Sequence, residues 1–196
     1  MSKATKAIQD VTRRVTLSGL SDLMFDRYAG DNKTTLEAHQ KLCFGADGET
    51  LVMPAVNISS FLSAQNTPSA PKMLLPVKTY KTVARANLSF TSISPMQIPI
   101  TRDGKPIKFT GFEGDEDKEA GVYIHRSVAR LDKGIPNPKV RPVVRLPWAI
   151  TFDLTIFPNE VFSEESLCTL FQRGGIAVGL GTYRGVFGKF VVEQWE

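Results

Sequence analysis

The C-terminal run GGIAVGLGTYRGVFGKFVVEQWE carries six glycines between Gly174 and Gly188, with one Arg and one Lys, and then turns apolar and strand-like. Positions without a Cβ open the positive-φ region to the backbone and let main-chain N–H groups approach a ligand closely. With Arg184 and Lys189 interleaved, the run has the chemistry of a loop that lies against a polyanion. It also dictates its flanks: a helix ends before it, and a strand, FGKFVVEQW, leaves it.

The helix is legible just upstream. Ser163 is placed to cap it, with Ser166 three residues on, and Glu164 and Glu165 favour the positive end of the helix dipole. Leu167, Leu170 and Phe171 supply an apolar stripe, and Arg173 precedes Gly174 and Gly175, which read as the helix stop. Earlier, Leu146, Trp148, Ile150, Phe152, Leu154 and Ile156 alternate with small or polar residues, as in a half-buried strand. Near the N-terminus, Val11, Arg13, Val15 and Leu17 share one side of another alternation. VMPAVNISSFLSAQ then reads as a helix with Pro54 in its first turn.

Residues 72–100 read as two short strands or as a helix and a strand, with Pro76 and Pro95 keeping any strand short or at an edge. Residues 101–121 are polar, with an acidic run from Glu113 to Glu119, and read as a solvated hairpin tip or flexible loop. The order is strand, helix, two strands, long insertion, strand, helix, strand. That is the connectivity of an α+β, ferredoxin-like (RRM-like) β-α-β-β-α-β core. Residues 1–196 then form one domain with a finger- or thumb-type insertion at about 97–145.

Composition bounds the function classes. The chain has 196 residues, 42% apolar and 22% charged, which suits a globular protein with a real core. A net charge of +4 suits a phosphate-bearing partner only where it is spatially concentrated. Cys43 and Cys168 show no metal-ligand spacing and read as thiols in a reducing, cytoplasmic setting. No run approaches the roughly 18 apolar residues that span a membrane. No metal or cofactor is expected.

Positive charge gathers in one stretch. His125, Arg126, Arg130, Lys133, Lys139, Arg141 and Arg145 stand there against a single acid, Asp132. Interleaved Gly134, Pro136, Pro138 and Pro142 predict a stiff, irregular loop suited to tracking phosphates. The plainer alternative is a solvated basic hairpin that balances the acidic run upstream. The glycine loop is the second basic site. It lacks the Lys-Ser/Thr pair of a P-loop, and it matches a dinucleotide fingerprint only loosely, with no helix after it.

The run Gly179–Phe190, near the end of a ferredoxin-like order, resembles the glycine-rich loop of the RAMP superfamily, the RNA-binding proteins of CRISPR systems; it has one extra residue before Gly188. Leu51–Ala64 is similar to the segment with which those proteins begin their first helix. The resemblance implies single-stranded RNA, above all a guide RNA, bound along its backbone without sequence readout. It also implies a homo-oligomer along the RNA, further effector-complex subunits as partners, and no membrane. Onto this chain it carries Gly179, Gly181, Arg184, Gly185, Gly188 and Lys189. Tyr183 would stack on a base or pack internally, and Arg13 on the first strand would join the same surface. The segment Arg126–Arg145 would match the finger or thumb of the subunit that coats guide RNA.

Catalysis finds less support. His39 and His125 have no fitting nucleophile or metal partner nearby in sequence. Asp22, Asp26 and Asp31 could hold Mg²⁺ or assist RNA cleavage in a RAMP-type ribonuclease; helix capping, pairing with Arg27 or solvation are the plainer roles. A third reading is a structural oligomer without nucleic acid, built on exposed Phe25, Phe44, Phe61 or Trp195. The expectation is a binding protein and not an enzyme.

Overall fold

In the computed structural model, residues 9–31, 33–130, 134 and 136–196 are described, with the backbone alone at residues 129 and 130. Antiparallel sheets and a layer of helices make a mixed α+β fold. In the main sheet β1 (Val11–Gly19) lies between β11 (Phe190–Trp195) and β10 (Ala149–Ile156). The strand β10 also pairs β4 (Thr91–Ser94) and β5 (Gln97–Arg102), and β5 in turn pairs β3 (Val52–Pro54) and β6 (Lys105–Pro106).

The alternation expected of β1 and β10 is present. Val15 faces Phe152 and Leu17 faces Ile150, and all four are fully buried. The opposite face is polar: the Thr12 and Thr155 hydroxyls lie 3.0 Å apart, as do those of Thr16 and Thr151. The strand β10 starts at Ala149, three residues later than the alternation suggested, and Leu146 is exposed. Trp148 is buried nonetheless, because Gly19 makes room for it: a Cβ there would sit 2.4 Å from the indole.

One face of this sheet is covered by α1 (Ala55–Ser63) and α4 (Glu164–Ala177). Between β3 and β4 the chain also forms α2 (Ala70–Leu74) and α3 (Val77–Phe90), so the ambiguous residues 72–100 resolve into helix and strand together. The Phe61 ring lies 5.5 Å from that of Phe171 and 5.4 Å from that of Phe190, joining α1, α4 and β11 in one core. Ser163 caps α4 as expected, with reciprocal bonds between the Ser163 and Ser166 side chains and backbones.

Three expectations are overturned. Gly174 and Gly175 do not stop α4, which runs on to Ala177. They sit where the helix presses on its neighbours. A Cβ on Gly174 would meet Ala70 Cβ at 2.6 Å, and one on Gly175 would meet the Phe190 carbonyl oxygen at 2.5 Å. Close packing here outweighs the roughly 1 kcal/mol that each glycine costs a helix.

The basic stretch is not an irregular loop either. A second sheet orders β2 (Leu23–Met24), β9 (Pro136–Val144), β8 (Val122–Arg130) and β7 (Glu116–Asp117), and β8 and β9 form a long ribbon. Proline is tolerated in β9 because Pro136, Pro138 and Pro142 share one parity, so their missing donors all fall on the edge that β8 does not use. The Pro142 carbonyl points to that edge, accepting from Phe25 N at 3.0 Å. Nor is the acidic run a simple solvated tip. Asp117 is buried and accepts bonds from Thr110 N and Ala120 N, both at 2.9 Å.

Candidate nucleic-acid interface

The glycine loop leaves α4 at Val178 and returns as β11. Gly179, Gly181, Gly185 and Gly188 all have positive φ, as does Tyr183 at 53°. Its two halves cross at close range: Leu180 N donates to Gly188 O at 2.9 Å, and a Cβ on Gly188 would stand 2.0 Å from the Leu180 oxygen. The loop is tied down on both sides. Thr182 N donates to Met24 O at 3.0 Å, Gly188 N to Asp22 O at 2.8 Å, and Lys189 N to the Ser21 hydroxyl at 3.0 Å. Most of these amides therefore serve the β1–β2 connection, and the loop is a rigid knot.

Arg184 completes the knot. Its Nη1 donates to Pro68 O at 2.8 Å, its Nη2 to the Ser60 hydroxyl at 3.2 Å and its Nε to Gly181 O at 3.3 Å. Burial pushes its pKa down from the ordinary arginine value. Arg184 thus holds the loop against α1 and the segment before α2. Lys189 is half-buried and forms no ion pair among the described residues.

What the loop does present is aromatic. Tyr183 is 55% exposed, and its ring is 5.9 Å from that of Phe187, which is 5.5 Å from His125 on β8. The ribbon brings its own chemistry to this row. In an antiparallel ladder directly opposite residues share a face. His125 opposes Arg141 and Ser127 opposes Lys139, while Arg126 opposes Val140 on the other face. The sequence cluster is thereby divided between two surfaces. Arg130 shows its backbone alone, and Lys133 lies outside the described residues.

Several of the cations are answered locally. Arg126 pairs with Asp115 at 2.7 Å, and Arg145 pairs with Glu116 at 3.0 Å while its guanidinium sits 4.7 Å from the centre of the Tyr123 ring. Burial, then the hydrogen bond donated to Asp22, pushes the Tyr123 hydroxyl up to about 12. Arg141 meets Asp26 at 2.7 Å; Lys41 meets the same carboxylate at 3.4 Å and donates to Val140 O at 2.6 Å. Arg13 lies on the core side of β1, where its Nη2 donates to Glu164 at 3.0 Å. That hydrogen bond from Arg13, more than any other influence, pulls Glu164 below its ordinary value.

Two abutting clefts, of about 440 and 410 Å³, run beside the loop and share Asp26, Arg27, Tyr28 and Lys41. One end is formed by Gly181, Thr182 and the first turn of α1 at Val56 and Asn57. The other end reaches Lys139 and Asn137 on β9. Among the described residues neither Arg27 nor Lys139 has an ion-pair partner, and with Lys41 they outnumber the two carboxylates of the clefts, Asp26 and Asp31. Arg27, Lys41 and Phe187 carry no spacing signal that marks them in the sequence, and His125 stands out there only as part of the basic stretch. Pairing of Leu23 with Val144 and of Met24 with Val143 is what swings the Arg27 segment beside the ribbon.

The aspartates are spoken for. Asp22 accepts from Tyr123 and from Leu146 N, Asp26 pairs with Lys41 and Arg141, and Asp31 accepts from Lys33 N and Thr34 N. Among the described residues no group of three His, Cys, Asp or Glu side chains is arranged to hold a metal ion. His39 lies in a single 3-10 turn, His39–Lys41. Cys43 and Cys168 are free, and burial pushes both thiols up. Among the described residues no helix is long and apolar enough to cross a membrane.

The geometry defines a mixed α+β protein with a basic groove between a knotted glycine loop, a helix N-terminus and a β-ribbon. No protein-family model matches the sequence, and no curated protein matches it. Among solved structures, the fold is similar to a chain in the cryo-EM structure of the Type III-B Cmr-beta bound to cognate target RNA, with a TM-score of 0.52 at 9% identity. The similarity covers 97% of this chain and 61% of that chain, so this protein spans about three fifths of the other's length. At that identity the likeness is one of fold.

Proposed function

We propose that this protein is an RNA-binding subunit of the RAMP type that holds single-stranded RNA by its backbone, without sequence readout, within a CRISPR-type ribonucleoprotein. Its core is then ferredoxin-like. The reading is supported by the order β11-β1-β10-β4, antiparallel throughout, with helices between β1 and β4 and between β10 and β11. The observation that carries the function is the groove: Arg27 and Lys139, which have no ion-pair partner among the described residues, line two abutting clefts that run from the ribbon to Gly181, Thr182 and the α1 N-terminus. Cations beside Tyr28, an exposed ring that lines both clefts, are what a phosphate-tracking, base-stacking surface requires. The protein binds and does not cleave, since Asp22 and Asp26 are occupied in holding the fold.

Titration of single-stranded RNAs of two unrelated sequences at two salt concentrations tests this. Equal affinities are expected, falling with salt. Arg27→Ala/Lys139→Ala should lower the dependence of log K on log salt by about 0.7 for each phosphate that is no longer neutralised, on both sequences alike. Absence of binding at low salt, or weakening on one sequence only, rejects the proposal.

A further inference from the structure

We propose that the outward face of α3 is a second nucleic-acid contact, taking the phosphate backbone of a double-stranded segment. Between Glu49 and Asp103 the chain has no carboxylate but five cations, Lys72, Lys78, Lys81, Arg85 and Arg102, so this stretch alone outweighs the net +4 of the whole chain. Two of the five are used internally. Lys72 donates to Gln65 O at 2.9 Å, and Arg102 donates to the carbonyls of Pro147, Ala120 and Arg145. The other three, Lys78, Lys81 and Arg85, are exposed on α3 and have no ion pair or side-chain hydrogen bond among the described residues.

Their placement is directional. At 3.6 residues per turn, Lys78, Lys81 and Arg85 share an arc of about 100° with Val77 and Leu88. Those two apolar side chains are 81% and 62% exposed. A solvated surface helix mixes signs along such a face, since like charges at i, i+4 repel. Here Lys81 and Arg85 stand in that relation with no acid on the helix. Seven residues at about 1.5 Å rise place the three cations over about 10 Å. One strand of a duplex offers a phosphate roughly every 3.4 Å of axis, so about three fall within that span.

The chemistry favours a duplex over a single strand. Gripping a single strand without sequence preference uses aromatic faces on which bases stack. This row has none; Tyr80 is half-buried and lies off the stripe. No residue of α3 lines either cleft of the groove, so the two surfaces are separable.

The test uses the full chain with Lys78→Gln, Lys81→Gln and Arg85→Gln combined, and circular dichroism melting to verify the fold. Anisotropy titrations compare a DNA duplex with a single-stranded RNA of equal length over a range of salt. The triple variant should lose at least about tenfold in duplex affinity, and its salt slope should fall by about two to three, at roughly 0.9 per neutralised phosphate. Its affinity for the single strand should be unchanged, and Arg27→Ala/Lys139→Ala should show the reverse pattern. A wild type that ignores duplex, or a triple variant that binds it normally, overturns the proposal. Equal weakening on both ligands assigns the face to the groove and rejects a separate contact. If polyglutamate binds the wild type but not the variant while duplex affinity is unaltered, the face docks an acidic protein and the nucleic-acid assignment falls.

Discussion

Gly185 and Gly188 look alike in the sequence and differ in what surrounds them. Gly185 has φ +89° and nothing within 4 Å of a built Cβ, whereas Gly188 has φ +71° and the Leu180 oxygen at 2.0 Å. Gly185→Ala should cost only the left-handed backbone penalty, about 1–2 kcal/mol. Gly188→Ala should cost more than about 4 kcal/mol, because the crossing of the loop must open. Urea denaturation of the two variants measures the difference. Asp117 makes the second residue-scale prediction. Burial alone would raise its pKa, but the bonds from Ala120 N, Thr110 N and the Thr110 hydroxyl outweigh it and hold the carboxyl below the ordinary value. A lowered carboxylate contributes stability above its unfolded pKa of about 3.9 and loses it as pH falls through the folded value. Asp117→Ala should therefore lower stability by about 2–3 kcal/mol at pH 7 and flatten its dependence on acid pH. Thermal melts between neutral and strongly acid pH read both effects.

At the scale of elements, the glycine loop and the ribbon act through each other. The loop supplies Tyr183 and Phe187, the ribbon supplies His125, and the three rings form one row. If bases of a bound strand stack there, removing a ring costs about 1–3 kcal/mol per base whatever the sequence. Tyr183→Ala and Phe187→Ala should each weaken single-stranded RNA binding by roughly five- to hundredfold on unrelated sequences. Stability should be the control: Tyr183 is exposed, so its variant should melt as the parent does. A melt lowered in step with binding would give Tyr183 a packing role. The capping of α4 and the alternations of β1 and β10 were legible residue by residue, because a helix start and a half-buried strand are written by local periodicity. The continuation of α4 through Gly174 and Gly175 was not. It depends on Ala70, Phe61 and Phe190, which arrive from three other elements.

At the scale of the molecule, charge is distributed unlike the sequence cluster suggests. The ribbon cations are largely answered by Asp26, Asp115 and Glu116, which pair with Arg141, Arg126 and Arg145. Among the described residues, cations without an ion-pair partner lie in the groove, at Arg27 and Lys139, and on α3. If protomers assemble along RNA, the mass of the particle should rise in equal steps as the RNA is lengthened. Light scattering after size-exclusion chromatography measures this, and a mass independent of RNA length would restrict the protein to one copy per RNA. Large particles lacking nucleic acid, read by a low 260/280 absorbance ratio, would favour a structural oligomer; of the residues considered for its contacts, Phe25 and Phe61 are buried in the core.

The sequence by itself determined the strand at each end, the capped helix between them and a glycine-rich loop before the last strand. Those features follow from period, cap and Cβ, which act over a few residues. Only the tertiary structure decided what the loop's own arginine does. Arg184, the obvious charge in the run, is committed to Pro68, Ser60 and Gly181. Arg27, which stands among aspartates in the sequence, faces the groove instead. Whether a cation is free depends on which carbonyls and carboxylates the fold brings within about 3 Å of it, and those partners come from distant segments.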